Sequence, residues 1–237
     1  MPILKGIEAC LNLVPYRKMQ TDRFEFCLSP SVDTPSAALR YIESRTDDFF
    51  QIVIDARSFA EENPSIIYLK VWLMIDGVLY GDDSTYGSVG YVHAAAISTL
   101  PGFVKKKQGG GFEGRPFRFK DVIAGDDGVD VDKVGEITIM LGRCKDDGPF
   151  VRNRGMVGSK GGQGPVETVA DGCIVDNDLS HTVGLGDAID VRPGLLFCQL
   201  EKLDTMEKPF VSFTFRYRDR CKFSFPLRRL VRVLRLW

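Results

Sequence analysis

Two histidines, His93 and His181, bound the acid–base and metal chemistry open to this chain of 237 residues. Imidazole exchanges its proton near neutral pH, so general acid–base catalysis and metal ligation recruit it first. His93 falls in an alternating apolar stretch and reads as a hydrogen-bonded strand residue. His181 closes the run Asp176-Asn177-Asp178-Leu179-Ser180-His181, with carboxylates and a hydroxyl near it in sequence. A Ser-His-Asp triad is assembled in space rather than along the chain, and no G-x-S-x-G elbow accompanies it. Turn or cap chemistry is the expected role of His181, a hydrolase-like cleft around it the alternative, and no catalytic residue is assigned.

Metal-site patterns are missing as well. There is no H-x-H cluster and no H-E-x-x-H helix. Asp126-Asp127-Gly128, with Asp130 and Asp132 beyond it, and Asp176-Asn177-Asp178 both miss the alternating-ligand register of a calcium loop. They read as solvated acidic turns, and neither metal nor cofactor is expected. In Gly155-Met156-Val157-Gly158-Ser159-Lys160-Gly161-Gly162, serine precedes the lysine and glycine follows it, which excludes a P-loop. Lys105, Lys106, Lys107, Arg152, Arg154 and Lys160 lie in glycine-rich stretches that could track a nucleic-acid backbone. Mobile surface loops are the plainer reading.

The end of the chain has the most distinct character. At 100° per residue, Leu227, Leu230, Val231, Val233, Leu234 and Trp237 fall within about 160° of arc. Arg228, Arg229, Arg232 and Arg235 take the opposite side, and Pro226 suits a first helical turn. The spacing predicts a basic amphipathic helix of about three turns, too short to stand alone in water. It is expected to dock on its own domain or to form an interface with a protein partner or a second copy. Leu227, Arg228, Arg229, Leu230, Val231, Arg232, Leu234, Arg235 and Trp237 are the interface candidates. Nucleic acid is a possible partner, and a membrane surface is not favoured.

The elements that must position these residues are strands. Val211, Phe213, Phe215 and Tyr217 alternate with Ser212, Thr214, Arg216 and Arg218, the period of a strand with one face in a core. Gly6–Val14, Arg23–Leu28, Ile66–Ile75, Val89–Ile97 and Gly135–Leu141 read as further strands. Ala38–Glu43 and Phe49–Ala56 are expected to pair as a hairpin across Ser44–Asp48. Asp76-Gly77 between two β-rich runs signals a type I′ turn, which needs positive φ at both central residues. Ser58–Ser65 is polar, with Asn63-Pro64 marking a turn; Lys105–Arg115 reads as a flexible, exposed basic loop, and Phe117, Phe119 and Val122 as a short strand. About ten short strands with turns between them predict an antiparallel two-sheet β-sandwich of jelly-roll type. The expected domain is 1–220, with a long glycine-rich loop at about 145–181 and the tail 221–237.

Composition agrees with a self-sufficient core. Hydrophobic residues at 44% and charged residues at 27% are ordinary globular values. From Arg216 onward eight Lys/Arg face one acid, which leaves 23 basic and 31 acidic residues, about −8, on 1–215. The cysteines Cys10, Cys27, Cys144, Cys173, Cys198 and Cys221 are spread with no CxxC pair, and Asn63-Pro64-Ser65 has proline where glycosylation forbids it. No signal-peptide core and no apolar run long enough to span a membrane is present. A reduced cytoplasmic or nuclear location is expected.

The order of these pieces resembles a large, uncharacterised fungal family of cytosolic or nuclear proteins built on one domain of unknown function. The matching pieces are Gly6-Ile7-Glu8-Ala9, Asp76-Gly77, Phe117-Arg118-Phe119 and Gly135-Glu136-Ile137 leading to Arg143. Ser180-His181 before Gly184 and Gly186, and Phe213-Thr214-Phe215-Arg216-Tyr217-Arg218, complete them. The resemblance runs to about Arg220, and the arginine–leucine end departs from it. It implies a β-sandwich and no assigned activity, substrate or catalytic residue. The expected function is a non-catalytic binding or scaffolding module, self-associating through the tail, with a nucleic-acid accessory role as the alternative.

Overall fold

The computed structural model describes residues 2–14, 33–80, 90–106, 112–121, 135–146, 181–191 and 200–218. These residues are mostly strand. In chain order they form β1 (Ile3–Leu4), β2 (Ile7–Val14), β3 (Ala37–Glu43), β4 (Phe49–Asp55), α1 (Arg57–Glu62), β5 (Tyr68–Ile75), β6 (Val78–Tyr80) and β7 (Tyr91–His93). Then come β8 (Ile97–Leu100), β9 (Gly102–Lys106), β10 (Phe112–Asp121), β11 (Glu136–Asp146), β12 (His181–Leu185), β13 (Ile189–Val191), β14 (Leu200–Lys202) and β15 (Val211–Arg218).

The strands make two sheets. The first runs β1-β2-β4-β10-β12, with β8 on β4 and with β9 and β13 on β10; the second runs β3-β15-β11-β5-β6, with β7 on β5 and β14 on β11. Their inner faces share one apolar core. Val211, Phe213, Phe215 and Tyr217 of β15 are all buried, as their period of two requires. From the first sheet Phe119 meets Tyr217, ring centroids 5.1 Å apart, and stacks on Phe50 at 4.7 Å. Tyr80 of the second sheet meets Phe103 of the first edge-on at 5.8 Å. Burying each such side chain stabilises the fold by about 1.5–3 kcal/mol, and the buried Ile, Leu and Val around the rings contribute on the same scale.

Several expectations change. β3 and β4 are not a hairpin: β3 pairs with β15 in the second sheet, and β4 lies between β2 and β10 in the first. Period two says which face is buried and is silent about the neighbour. Residues 44–48 therefore cross from one sheet to the other. The β3–β15 ladder is parallel, from Ser212 opposite Ala37 to Arg218 opposite Glu43, so the second sheet is mixed rather than antiparallel. The turn at Asn63-Pro64 is present, with the Ile66 N–H on the Asn63 carbonyl at 2.9 Å, but before it Arg57–Glu62 winds into a short helix that buries Phe59 and whose Phe59 N–H bonds the Gly6 carbonyl at 3.1 Å. Of the expected Lys105–Arg115 loop, residues 105–106 end β9 and 112–115 begin β10, with 107–111 outside the described residues, and the short strand at Phe117 is the second half of the ten-residue β10. The described part of the expected strand Val89–Ile97, from Gly90, divides into β7 and the start of β8 across a turn at 94–96. Strand Arg23–Leu28, most of the loop at 145–181 and the tail 221–237 lie outside the described residues.

Candidate functional site

The polar groups that reach the seam between the sheets gather around two side chains, Asp76 and His181. Asp76 and Gly77 have φ of +51° and +80°, as the two-residue turn between β5 and β6 demands. The turn backbone reaches solvent while the Asp76 carboxylate is enclosed. Its Oδ1 accepts the Gly135 N–H at 2.7 Å and the Tyr217 hydroxyl at 2.5 Å. Its Oδ2 accepts the Thr182 hydroxyl and the Val183 N–H, both at 2.9 Å. β12 ends the first sheet's strand order, so a side chain of the second sheet supplies Val183 with the acceptor that a further strand would give.

Burial pushes the Asp76 carboxyl above its ordinary range, and the bonds from Tyr217, Val183, Gly135 and Thr182 pull it back part of the way. The same setting pushes the Tyr217 phenol well above its ordinary value, by burial first and then by the Asp76 charge. Tyr80 is raised to about 12 by burial and by Asp76. Both phenols therefore keep their protons at neutral pH, and Tyr217 stays a donor.

His181 begins β12 and is 4% exposed. Its Nδ1 lies 3.0 Å from Ser44 Oγ, and its Nε2 lies 3.2 Å from Thr46 Oγ1 and 3.7 Å from Asp121 Oδ1. The Thr46 hydroxyl donates in turn to Asp121. Ser44 is 1% exposed, whereas the Asp121 side chain is 67% exposed, so the chain of contacts runs from the interior to solvent. Ser, His and Asp thus meet here, although the serine and the aspartate come from residues far from the Asp176–His181 run. A nucleophile must reach substrate, and Ser44 is enclosed. The Asp47 and Phe119 N–H groups beside the cluster are bonded to Phe119 and Asp48 carbonyls at 2.8 and 3.0 Å, and the Asp48 N–H to the Arg45 carbonyl at 3.1 Å. None of these three donors is left to hold an oxyanion. What the arrangement does chemically is tie strands of the two sheets together through side-chain hydrogen bonds.

A family description, Domain of unknown function (DUF7918), matches residues 25–224. The chain belongs to this family. No curated protein and no solved structure matches it. The DUF7918 match encloses Ser44, Thr46, Asp76, Asp121, His181 and Tyr217. It begins after Gly6-Ile7-Glu8-Ala9, so that piece of the expected resemblance falls outside it, and it ends at 224, before Leu227.

Of the expected nucleic-acid candidates, Lys105 and Lys106 sit in β9 opposite Glu113 and Phe112; Lys107, Arg152, Arg154 and Lys160 lie outside the described residues, as do all nine interface candidates from Leu227 to Trp237. His93 is an exposed strand residue whose Nδ1 accepts the Ala95 N–H at 3.1 Å, the hydrogen-bonded role expected of it. Arg216 is paired with Glu136 at 2.5 Å, and Arg218 donates to the Gly135 and Tyr217 carbonyls. Sequence reading missed Ser44, Thr46, Asp121 and the partners of Asp76. The Asp-Gly pair announced a turn and nothing about its carboxylate. Among the described residues no group of three or more His, Cys, Asp or Glu could hold a metal ion, and no helix is long and apolar enough to cross a membrane.

Proposed function

We propose that this DUF7918 domain is a two-sheet β-sandwich of jelly-roll type that serves as a non-catalytic binding or scaffolding module in the cytoplasm or nucleus. The observation that carries this reading is the inward saturation of its polar groups. Asp76 holds four donors, both His181 nitrogens are engaged, and Ser44 is enclosed between the sheets. Groups spent on one another stabilise a scaffold, and recognition is left to the surfaces and to the basic tail. The facing contact of Phe119 with Tyr217 supports the sandwich form. Among the described residues, the buried Cys144 thiol stands outside any disulfide, which fits a reducing compartment.

The tail supplies the interface in this reading, its Leu227–Trp237 stripe covering apolar surface on a partner or a second copy while Arg228, Arg229, Arg232 and Arg235 face acidic groups. Deleting residues 227–237 and comparing mass in solution and captured proteins with the full chain tests it. Loss of self-association or of a partner is the expected result. Unchanged mass together with an unchanged set of captured proteins would overturn the role of the tail.

A further inference from the structure

The family match begins at residue 25, yet a whole strand of the first sheet lies ahead of it. β2 pairs with β4 over the full length of β4, from Glu8 opposite Asp55 to Val14 opposite Phe49. Ile7, Ala9 and Leu11, at alternate places, are buried in the core that the two sheets share. On its other flank β4 is held by β8, from Ile52 to Asp55, and by β10, at Phe49 and Phe50. Glu8 and Asp55 are like charges directly opposite one another, and the Arg57 guanidinium, 2.7 Å from Asp55, offsets their repulsion.

The tip of the β1–β2 hairpin is fastened as well. Lys5 and Gly6 have φ of +49° and +76° in the two-residue turn that sets Leu4 opposite Ile7. Gly6 abuts α1: a Cβ there would stand 2.8 Å from the Phe59 nitrogen, and the Gly6 carbonyl accepts the Phe59 N–H. The Lys5 ammonium donates to the Phe210 carbonyl at 3.1 Å and lies 4.2 Å from the centre of the Phe210 ring. Phe210 is tied in turn to the second sheet. Its N–H donates to the Leu141 carbonyl of β11 at 2.9 Å, and the Arg143 guanidinium lies 4.5 Å from its ring. One hairpin thus supplies a ladder to the first sheet and a clasp to the second.

Taking the hairpin away strips one whole flank of β4 of its ladder, and Phe50, Ile52 and Ile54 lose Leu13, Leu11 and Ala9 from the positions opposite them. The Phe59 and Phe210 rings, 5.3 Å apart, lose the turn that sits against them. We propose that residues 2–14 are a donor strand integral to the DUF7918 fold: the β4 flank and the Phe59–Phe210 pair form an acceptor surface for an extended segment with apolar residues at every second place. The matched residues 25–224 do not close their two sheets without that segment.

The test keeps the full chain intact until it has folded. A protease site is placed between Val14 and Asp33, the purified chain is cut, and the cut chain is passed over a sizing column in rising urea. The piece carrying residues 2–14 is expected to leave only in the step in which the remainder loses its cooperative unfolding transition. In case the chain with the added site does not fold, hydrogen exchange of the native chain decides. The β2 amides that pair with β4 are expected to show protection factors within about a hundredfold of the largest in β11. A remainder that has shed residues 2–14 and still unfolds cooperatively, or β2 protection that falls short of β11 by more than that, would overturn the inference.

Discussion

Replacing Tyr217 with Phe isolates the bond that joins β15 to the β5–β6 turn. The ring is buried and packs on Phe119, and Phe keeps that contact, so the change removes one hydroxyl and leaves almost no cavity. What is lost is a donor to a carboxylate, at 2.5 Å from Asp76 Oδ1, with Gly135 the remaining donor to that oxygen. A hydrogen bond to a charged group contributes about 1.5–3 kcal/mol, which for a chain of this size lowers the melting temperature by on the order of 3–12 °C. The deficit is also pH-dependent, with a definite sign. Tyr217 favours the ionised carboxyl, so without it burial pushes Asp76 further up. The advantage of the native chain over the variant is therefore small in acid, where a neutral–neutral bond is worth about 0.5–1.5 kcal/mol, and grows as pH rises through the Asp76 titration. Equilibrium urea unfolding of both chains, at neutral pH and at about pH 4, measures it. A deficit below about 0.5 kcal/mol at neutral pH, or one that does not grow with pH, refutes the reasoning.

Two further substitutions probe packing and the surface. In Gly102→Ala the new Cβ runs into the Arg115 carbonyl and lies 2.6 Å from Pro116 Cα, backbone atoms of β10 that have no rotamer to give. Overpacking of this kind costs about 1–3 kcal/mol or more, read as a lower urea midpoint with the slope retained. Asp204→Ala removes the carboxylate that takes the Arg143 N–H at 2.7 Å and its guanidinium at 2.9 Å. With Arg143 about a third exposed, the expected loss is about 1–2 kcal/mol. Burial pushes the Asp204 carboxyl up, but the Arg143 bonds outweigh it and leave it below its ordinary range. That stabilisation is present above about pH 4 and fades as pH falls further, so the native chain and the variant should converge in acid unfolding curves.

The sequence showed which faces are buried and where the sharpest turn lies, because both are local. Alternation at Val211–Arg218 and the Asp76-Gly77 pair each need only a few neighbouring residues to be read. The site was not local. Ser44 and His181 are 137 positions apart, and Tyr217 and Asp76 are 141 apart. Nothing in Ser44–Asp48 distinguishes a crossover between sheets from a hairpin loop. In Arg57–Glu62 six residues with one buried side chain are too few to display a helical period. His181 was singled out beside Asp176 and Asp178, which lie outside the described residues, while Ser44, Thr46 and Asp121 meet it from distant parts of the chain.

The place of β15 between β3 and β11 has a consequence for synthesis on the ribosome. β3 is among the first strands to emerge, yet in the finished sheet it has β15 at its side, and β15 is the last of the described strands to be made. Until then β3 and the β15-facing edge of β11 present open ladders to the cell. Contacts of such long sequence separation also make closure slow. The nascent chain thus carries most of its β-rich sequence before the second sheet can close, and its vulnerable interval is set by the arrival of one strand.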